Sequence, residues 1–327
     1  MHASKLCLAG VVLSLFACNG SPSNDTSSGG TSGLDLPDRA APPDDAGTSG
    51  TSGTSGTSGT SGTSGTSGDA ASEAGDGGNV RDLTPNKAAF FGASRCAQAG
   101  VTLCEDFESG ALDASIWTTV GVKPVIDGVQ HARGAKALHV TINGNGPSYI
   151  KETKSFPAPN NAYWGRMFVW FDSLPVPAGM FTYSHWTFAA ASGKQVPGEI
   201  RLSAQLQNGK NIFGVGTDNQ SANGTGDWTS SDKDPMNAPL AVPTKQWLCI
   251  EWAHQGDTNE TRFYWDAVEH PSLHTTSTKN GGNGKPYILP QFDTLWVGWD
   301  EYQPTTEKFE LWIDEIALDA HRIGCVL

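Results

Sequence analysis

The most informative polar side chains lie in residues 199–206, which read EIRLSAQL. Apolar and polar residues alternate strictly in this segment, a pattern typical of a half-buried β-strand. Arg201 and Gln205 therefore lie on the same polar face, two side-chain steps apart. Arginine offers a planar fork of donors to a carboxylate and also stacks on aromatic rings. This face is either the solvated back of a sheet or the floor of a binding site.

Two further predicted strands carry cationic or titratable residues in aromatic surroundings. Within residues 182–191, His185 shares a face with Tyr183. Within residues 163–172, Arg166 shares a face with three aromatic side chains. This composition differs from that of a solvated surface and favours a ligand-binding one. The alternative is a set of cross-strand pairs on an exposed sheet.

Short strands are predicted to make up the folded part of the chain. Runs with strand character cover residues 136–142, 163–172, 182–191, 199–206, 210–217, 246–255, 261–267, 293–302 and 309–319. Clusters of glycine, proline and asparagine separate these runs, and helical periodicity is nearly absent after residue 110. These features predict an all-β antiparallel sandwich. The 11 tryptophans of the chain fit a groove lined by aromatic rings.

The N-terminal segment has the features of an export signal. Residues 1–17 contain Lys5 and then an apolar run that is too short to span a bilayer. The sequence LFAC ends at Cys18 and resembles a bacterial lipobox. This predicts an exported lipoprotein at the cell surface or in the periplasm, held at a membrane only by lipid on Cys18. A plain signal peptide cut near the same place is the alternative.

A low-complexity segment separates this signal from the folded region. Residues 18–88 include the triplet TSG seven times in a row, from Thr48 to Gly68. They contain too few large apolar residues to offset the entropy lost on ordering, so they are predicted to form a disordered tether. Residues 89–327 are predicted to form one monomeric domain. With 25 Asp and Glu against 17 Lys and Arg, this domain carries a net charge of −8, which argues against a nucleic-acid partner.

Four cysteines occur in the predicted domain. An even count in an exported chain favours two disulfides, and four cysteines allow three pairings. The favoured pairing joins Cys96 to Cys104 across a short loop and Cys249 to Cys325, which would link the last strand to an inner one.

A series of motifs, taken together and in order, resembles a known family. They are EDFESG (105–110), ARGAKALHV (132–140), SHWTF (184–188), EIRLSAQ (199–205), WLCIEW (247–252), VGWDEY (297–302) and LWIDEIALDAHRIGC (311–325). In this set and order, the domain resembles the core domain of the cellulose-induced secreted protein family. That family has a β-jelly-roll fold similar to those of glucuronan and alginate lyases. The resemblance also implies that Cys249 pairs with Cys325.

The resemblance implies a concave cleft across one sheet, in which an oligosaccharide would lie. Related lyases cleave uronic-acid polymers by β-elimination, in which the C5 proton is removed and the C4 oxygen is expelled. The C5 proton becomes acidic enough only when the neighbouring carboxylate is neutralised. By resemblance, Arg201 and Gln205 would neutralise that carboxylate, and His185 would act as the base. The acid would be Tyr302, with Tyr149 and Tyr183 as alternatives.

The acidic residues next to Tyr302 favour a different ligand. Asp300 and Glu301 would repel a polyuronate and would suit a neutral glucan. A non-catalytic carbohydrate-binding module is therefore the alternative function. In either case the partner is a polysaccharide. The side chains expected to contact it are Arg166, Tyr183, Trp299 and Asp300.

A glycoside hydrolase with two carboxyl groups is a further alternative. Glu251 in the CIEWAH strand and the acidic residues of GWDE are the candidates. A retaining enzyme needs two carboxyl groups about 5–5.5 Å apart, a distance that the sequence does not supply.

The resemblance further implies a structural Ca²⁺ site between the start and the end of the domain. Asp314 shares the parity of apolar residues, and a carboxylate on an apolar face needs a counter-charge or a metal. Glu108 and backbone carbonyls around Arg133 would complete the site. Lys136, however, stands where the family can present an oxygen-bearing side chain. Either Lys136 points away, or its ammonium group replaces the cation and forms a salt bridge with Asp314.

Overall fold

The computed structural model describes residues 81–98, 100–176, 184–194, 198–207, 209–219, 225–230, 240–278 and 288–327. The predicted signal segment, Cys18 and the tether up to residue 80 lie outside these ranges, and so does Tyr183. Within them, helical structure consists of 3-10 turns at Lys87–Ala89, Cys96–Gln98, Pro159–Asn161 and Pro271–Leu273. None of the helices in the described ranges is long and apolar enough to cross a membrane.

The first of two antiparallel sheets has eight strands. They are β1 (Leu103–Glu105), β3 (Val125–Asp127), β4 (Ala137–Asn143), β6 (Ala162–Phe171), β11 (Trp247–Gln255), β12 (Glu260–Trp265), β13 (Val268–Glu269) and β15 (Lys308–Asp319). Their order is β13-β12-β11-β6-β15-β4-β3, and β1 also pairs with β15.

The second sheet has seven strands and carries the polar segment EIRLSAQL. They are β2 (Trp117–Gly121), β5 (Gly146–Glu152), β7 (Ser184–Gly193), β8 (Gly198–Gln207), β9 (Lys210–Asn219), β10 (Thr225–Ser230) and β14 (Thr294–Glu301). Their order is β10-β9-β8-β7-β14-β5-β2. The predicted all-β jelly-roll sandwich is confirmed, and every one of the nine predicted strands is present. Six strands were not predicted, namely β1, β2, β3, β5, β10 and β13. Of these, β5 was missed because it begins inside the turn-like sequence NGNGPS.

The apolar parity of each long strand forms the core between the sheets. Ile200, Leu202 and Ala204 of β8 belong to the main buried cluster, as do Met167 and Val169 of β6. Because successive side chains in a strand point to opposite faces, the polar residues of β8 lie on the outer face of the seven-stranded sheet. The fold therefore separates the side chains that pack from those that are offered to a ligand.

Residues 81–88, which fall within the predicted tether, instead pack against the domain. Arg81 forms an ion pair with Asp319 and donates to the carbonyl oxygen of His321 at 3.2 Å. Lys87 Nζ lies 2.7 Å from a carboxylate oxygen of Asp266. The segment is polar, which explains its assignment to the tether. Its two cations nevertheless pair with carboxylates of the folded domain.

Both favoured disulfides are present, Cys96–Cys104 and Cys249–Cys325. The second joins β11 to the C-terminal segment that follows β15. The two disulfides indicate an extracellular or periplasmic protein, because disulfides persist in oxidising compartments.

Candidate functional site

Strands β7 and β8 bring the predicted polar residues together. His185 lies opposite Gln205 in the strand register, and Thr187 lies opposite Ser203. The hydroxyl oxygens of Thr187 and Ser203 are 2.9 Å apart, so they form a hydrogen bond beneath the site. The shared face that was predicted from alternation in two separate strands is therefore one continuous surface.

Asp300 of strand β14 and Tyr302, which follows the strand, add an acidic and an aromatic group to the same surface. The rings of Tyr302 and His185 stack with centroids 4.5 Å apart and planes 9° apart. The guanidinium carbon of Arg201 lies 5.8 Å from the centroid of the Tyr302 ring. Asp300 lies opposite Thr187 in the register and is half-buried. We call this group the His185 site; its residues are His185, Arg201, Gln205, Asp300 and Tyr302.

Arg201 approaches the backbone of the neighbouring strand closely. A Cβ atom at Gly216 would come within 3.1 Å of Arg201 Nε, so the glycine makes room for the guanidinium group. Arg201 Nε also lies 3.5 Å from a carboxylate oxygen of Glu199 and makes no hydrogen bond within the described residues. Gly216 was not predicted as part of the site. The only signal for it was the glycine spacing in the segment KNIFGVGT.

Gln205 contributes a buried acceptor. Its side-chain oxygen Oε1 has no hydrogen-bond partner among the residues that the structure describes, and the residue is only 8% exposed. Leaving a buried acceptor unpaired costs about 1–3 kcal/mol. A ligand that brings a donor, such as a sugar hydroxyl group, would remove that cost.

The proton-handling groups of the site have shifted pKa values. Burial, reinforced by the charge of Arg201, lowers the pKa of His185 to about 4, so the ring is neutral at neutral pH. Burial raises the pKa of Tyr302, although a hydrogen bond to Thr187 and the charge of Arg201 act in the opposite direction. Burial also raises the pKa of Asp300, opposed by Arg201. Perturbed titratable groups clustered on one surface are typical of functional sites.

Tyr149 lies on the next strand along the same surface. Its ring stacks on Trp296 of β14 at a centroid distance of 4.3 Å. Burial raises the pKa of Tyr149, with Asp300 as the next largest cause. The charge of Asp300 in the His185 site thus acts on Tyr149. Among the described residues, Tyr302 is the tyrosine whose ring stacks on His185.

Two residues predicted to contact a glycan lie elsewhere. Trp299 is fully buried in the core and stacks on Trp186 at 4.7 Å. It precedes Asp300 in the strand, and adjacent strand residues cannot share a face. Arg166 is also buried, on the other sheet, where its Nη2 lies 3.1 Å from Glu315. Both assignments to a glycan surface are corrected: Trp299 packs, and Arg166 forms a structural ion pair.

Glu251 does not form a catalytic carboxylate pair either. It lies on β11 in the eight-stranded sheet, whereas Asp300 lies on β14 in the seven-stranded sheet. Its two carboxylate oxygens accept from Arg322 at 2.9 Å and from the backbone amide of Gly324 at 2.8 Å. These contacts give Glu251 a structural role and remove the support for a glycoside hydrolase.

The residues predicted to bind Ca²⁺ meet at one loop, residues 132–136. Glu108 Oε1 accepts from the backbone amide of Lys136 at 2.9 Å, and Asp314 Oδ2 accepts from that of Arg133 at 2.8 Å. Burial raises the pKa of Asp314 to about 7. Its other oxygen, Oδ1, is buried and has no hydrogen-bond partner within the described ranges. A cation is one group that would satisfy this oxygen, whereas Asp314 Oδ2 and Glu108 Oε1 already accept backbone amides of the loop.

Lys136 contacts the backbone of Glu108 through its ammonium group. Its Nζ donates to the backbone carbonyl of Glu108 at 3.0 Å. No ion pair between Lys136 and Asp314 is found within the described part of the chain. Of the two sequence alternatives for Lys136, the salt bridge to Asp314 is thus not seen in the described residues, and the ammonium group lies at the backbone of Glu108.

Comparisons of the sequence alone give no relatives. No protein-family model matches the chain. No curated protein matches it either.

The domain is a jelly-roll sandwich, and the outer face of one sheet is polar and aromatic. Among solved structures, the chain is similar to Cellulose induced protein, Cip1, with a TM-score of 0.51 and 16% identity over 68% of this chain and 99% of that chain. This likeness confirms the predicted jelly-roll fold. Alginate lyase AlyC3 gives a TM-score of 0.39 and 14% identity over 56% of this chain and 74% of that chain. The receptor-binding domain of botulinum neurotoxin type G gives a TM-score of 0.41 and 12% identity over 69% of this chain and 49% of that chain.

Proposed function

We propose that the His185 site binds a polysaccharide and cleaves uronic-acid-containing glycan by β-elimination. The observation that carries this proposal is the contact of His185, Tyr302 and Arg201 on one sheet surface. Arginine suits the neutralisation of a carboxylate, because its planar fork matches the two oxygens. Tyrosine and histidine are side chains that transfer protons in general acid–base catalysis.

Each site residue has a role in that reaction. Arg201 holds the uronate carboxylate and stabilises the charge that grows on it as the C5–H bond breaks. Gln205 Oε1 accepts a hydrogen bond from a hydroxyl group of the same sugar, or from its carboxyl group when that is protonated. Tyr302, whose raised pKa keeps it protonated, gives a proton to the C4 oxygen as the C4–O bond breaks. A double bond forms between C4 and C5, and the C5 proton passes to a ring nitrogen of His185.

Binding of a neutral glycan without chemistry is the second candidate. The observation that favours it is the acidic environment of Arg201. Glu199 lies 3.5 Å away, and the charge of Arg201 acts on the half-buried carboxyl group of Asp300. Both groups compete with a substrate carboxylate for the guanidinium group. A neutral sugar would face no such competition.

A screen of polysaccharides separates the two functions. Glucuronan, alginate, pectate and cellulose would each be tested for the ultraviolet absorbance of an unsaturated product and for retention of the protein on the polymer. Absorbance with a polyuronate supports the lyase, whereas retention without product supports the binding module. If the protein neither cleaves nor binds any of them, the carbohydrate function is wrong.

We also propose that Glu108, Asp314 and the carbonyl of Arg133 hold a structural Ca²⁺ ion, supported by the buried Asp314 Oδ1 that lacks a partner. A bound ion would tie the loop 132–136 to β15, because Ca²⁺ is held by several oxygens at once.

Removal of Ca²⁺ is expected to destabilise the domain. A ligand present at 100 times its Kd stabilises a fold by about 2.7 kcal/mol, which is roughly 5–10 °C in Tm for a domain of this size. EDTA should therefore lower the Tm by that amount in a thermal melt, and Asp314→Ala should abolish the response. If EDTA has no effect and Lys136→Ala alone lowers the Tm, the ion is absent and the lysine stabilises the loop instead.

We propose further that the protein is a lipoprotein anchored through Cys18. The lipobox-like sequence before Cys18 supports this, and so does the oxidising compartment indicated by the disulfides. Wild-type protein should sediment with membranes, and Cys18→Ser should shift it to the soluble fraction. Cys7→Ser is the matched control and should not change the distribution. Wild-type protein that is already soluble after signal cleavage would show that the anchor does not exist.

A further inference from the structure

Gln303 makes a two-point contact with His185. The backbone amide of His185 donates to Gln303 Oε1 at 2.7 Å, and Gln303 Nε2 lies 3.0 Å from His185 Nδ1. A backbone N–H group can only donate, so the oxygen of the glutamine amide must face it. The NH₂ group must then face Nδ1, which fixes the orientation of the amide.

This orientation determines where the ring carries its proton. An NH₂ group donates, so Nδ1 of His185 has to accept. His185 is neutral at neutral pH because its pKa is lowered to about 4. A neutral imidazole has one proton, and it must therefore be on Nε2.

Gln303 is itself held in place by the strand that precedes it. Its backbone amide donates to Glu301 Oε1 at 3.0 Å, and Glu301 is buried. The stacked ring of Tyr302, between these two residues in sequence, limits rotation of the His185 ring. The turn after β14 thus fixes both the plane and the tautomer of the histidine.

We infer that Gln303 is a positioning residue that keeps the neutral His185 ring protonated on Nε2, so that the site presents His185 to a glycan as a hydrogen-bond donor. The inference depends on the proposed function in one respect only, namely that the ligand is a glycan. As a consequence, the ring nitrogen that can accept a C5 proton is Nδ1, which Gln303 holds in the resting site, so turnover requires this hydrogen bond to open. Arg201, Tyr302 and His185 together form an array of donors suited to the carboxylate and hydroxyl oxygens of a sugar.

The tautomer can be measured without a ligand. In full-length protein labelled with ¹⁵N, correlation of the ring nitrogens with the ring hydrogens reports which nitrogen is protonated. The wild type should show a protonated Nε2 and an unprotonated Nδ1 at neutral pH. Gln303→Glu should reverse this, because a carboxylate can accept from both the backbone amide and an Nδ1–H group. It should also raise the His185 pKa by about 1–3, since a negative charge then lies beside the ring.

Two controls separate positioning from a general structural effect. Gln98→Glu adds the same charge at an exposed position and should leave the His185 signals unchanged. Gln303→Ala should give a mixture of tautomers with the fold retained. A wild-type ring protonated on Nδ1, or Gln303→Glu signals identical to those of the wild type, would overturn the inference.

The glycan readout is independent of the tautomer readout. If alginate or another polymer from the screen binds, Gln303→Glu should lower the affinity for that polymer on the order of tenfold, which corresponds to the loss of about one hydrogen bond. If no polymer binds but the tautomer is as expected, the proposed function fails and the positioning role of Gln303 stands. Unchanged affinity in Gln303→Glu despite a reversed tautomer would show that His185 does not donate to the glycan.

Discussion

Arg201→Ala is expected to reduce kcat on a polyuronate by about 10²–10³, with a smaller change in KM. The reason is that negative charge on the substrate carboxylate grows as the C5 proton leaves, so the guanidinium group stabilises the transition state more than the bound substrate. Steady-state kinetics, followed by the absorbance of the unsaturated product, would measure both constants. Circular dichroism would confirm that the variant is folded.

Two matched variants sharpen the interpretation. Arg201→Lys keeps the charge but loses the planar fork, and should recover part of the rate. Arg262→Ala removes an arginine from the other sheet, where it pairs with Glu260 and Glu269, and should leave kcat unchanged. If Arg201→Ala lowers glycan affinity and no turnover is ever detected in the wild type, Arg201 is a binding contact and the lyase proposal is wrong.

Glu315→Gln is expected to reduce the free energy of unfolding by about 3–5 kcal/mol. Glu315 is fully buried and forms ion pairs with both Arg133 and Arg166, the latter at 3.1 Å. Its other oxygen accepts from the backbone amide of Arg95 at 3.2 Å. The substitution removes the charge that both buried guanidinium groups share, so two cations lose their partner at once. Denaturant unfolding of the two proteins would give the difference.

Glu260→Gln is the control for this measurement. Glu260 pairs with Arg262 at 3.5 Å, and both side chains are partly exposed. Surface ion pairs contribute about 0–1 kcal/mol, so this variant should be nearly as stable as the wild type. A loss below about 1 kcal/mol in Glu315→Gln as well would mean that the two arginines find other partners or water when Glu315 is neutral.

Local pattern determined much of the fold. Period-two alternation depends only on neighbouring residues, which is why the strands and the outward face of Arg201, Gln205 and His185 were predictable. The disulfide pairing followed from cysteine count and spacing together with the family resemblance.

Only the tertiary structure decided what each face meets. Arg166 shares its strand face with aromatic residues and Arg201 shares its face with polar ones, but the sequence does not show what either face contacts. The register places Arg166 beneath buried carboxylates of the eight-stranded sheet and Arg201 beside Tyr302 on the seven-stranded sheet. Gln303, 118 residues from His185 in the sequence, was likewise not predictable. Strand alternation fixes the direction of a side chain relative to its own backbone, whereas its partners depend on pairing between distant strands, which no local pattern encodes.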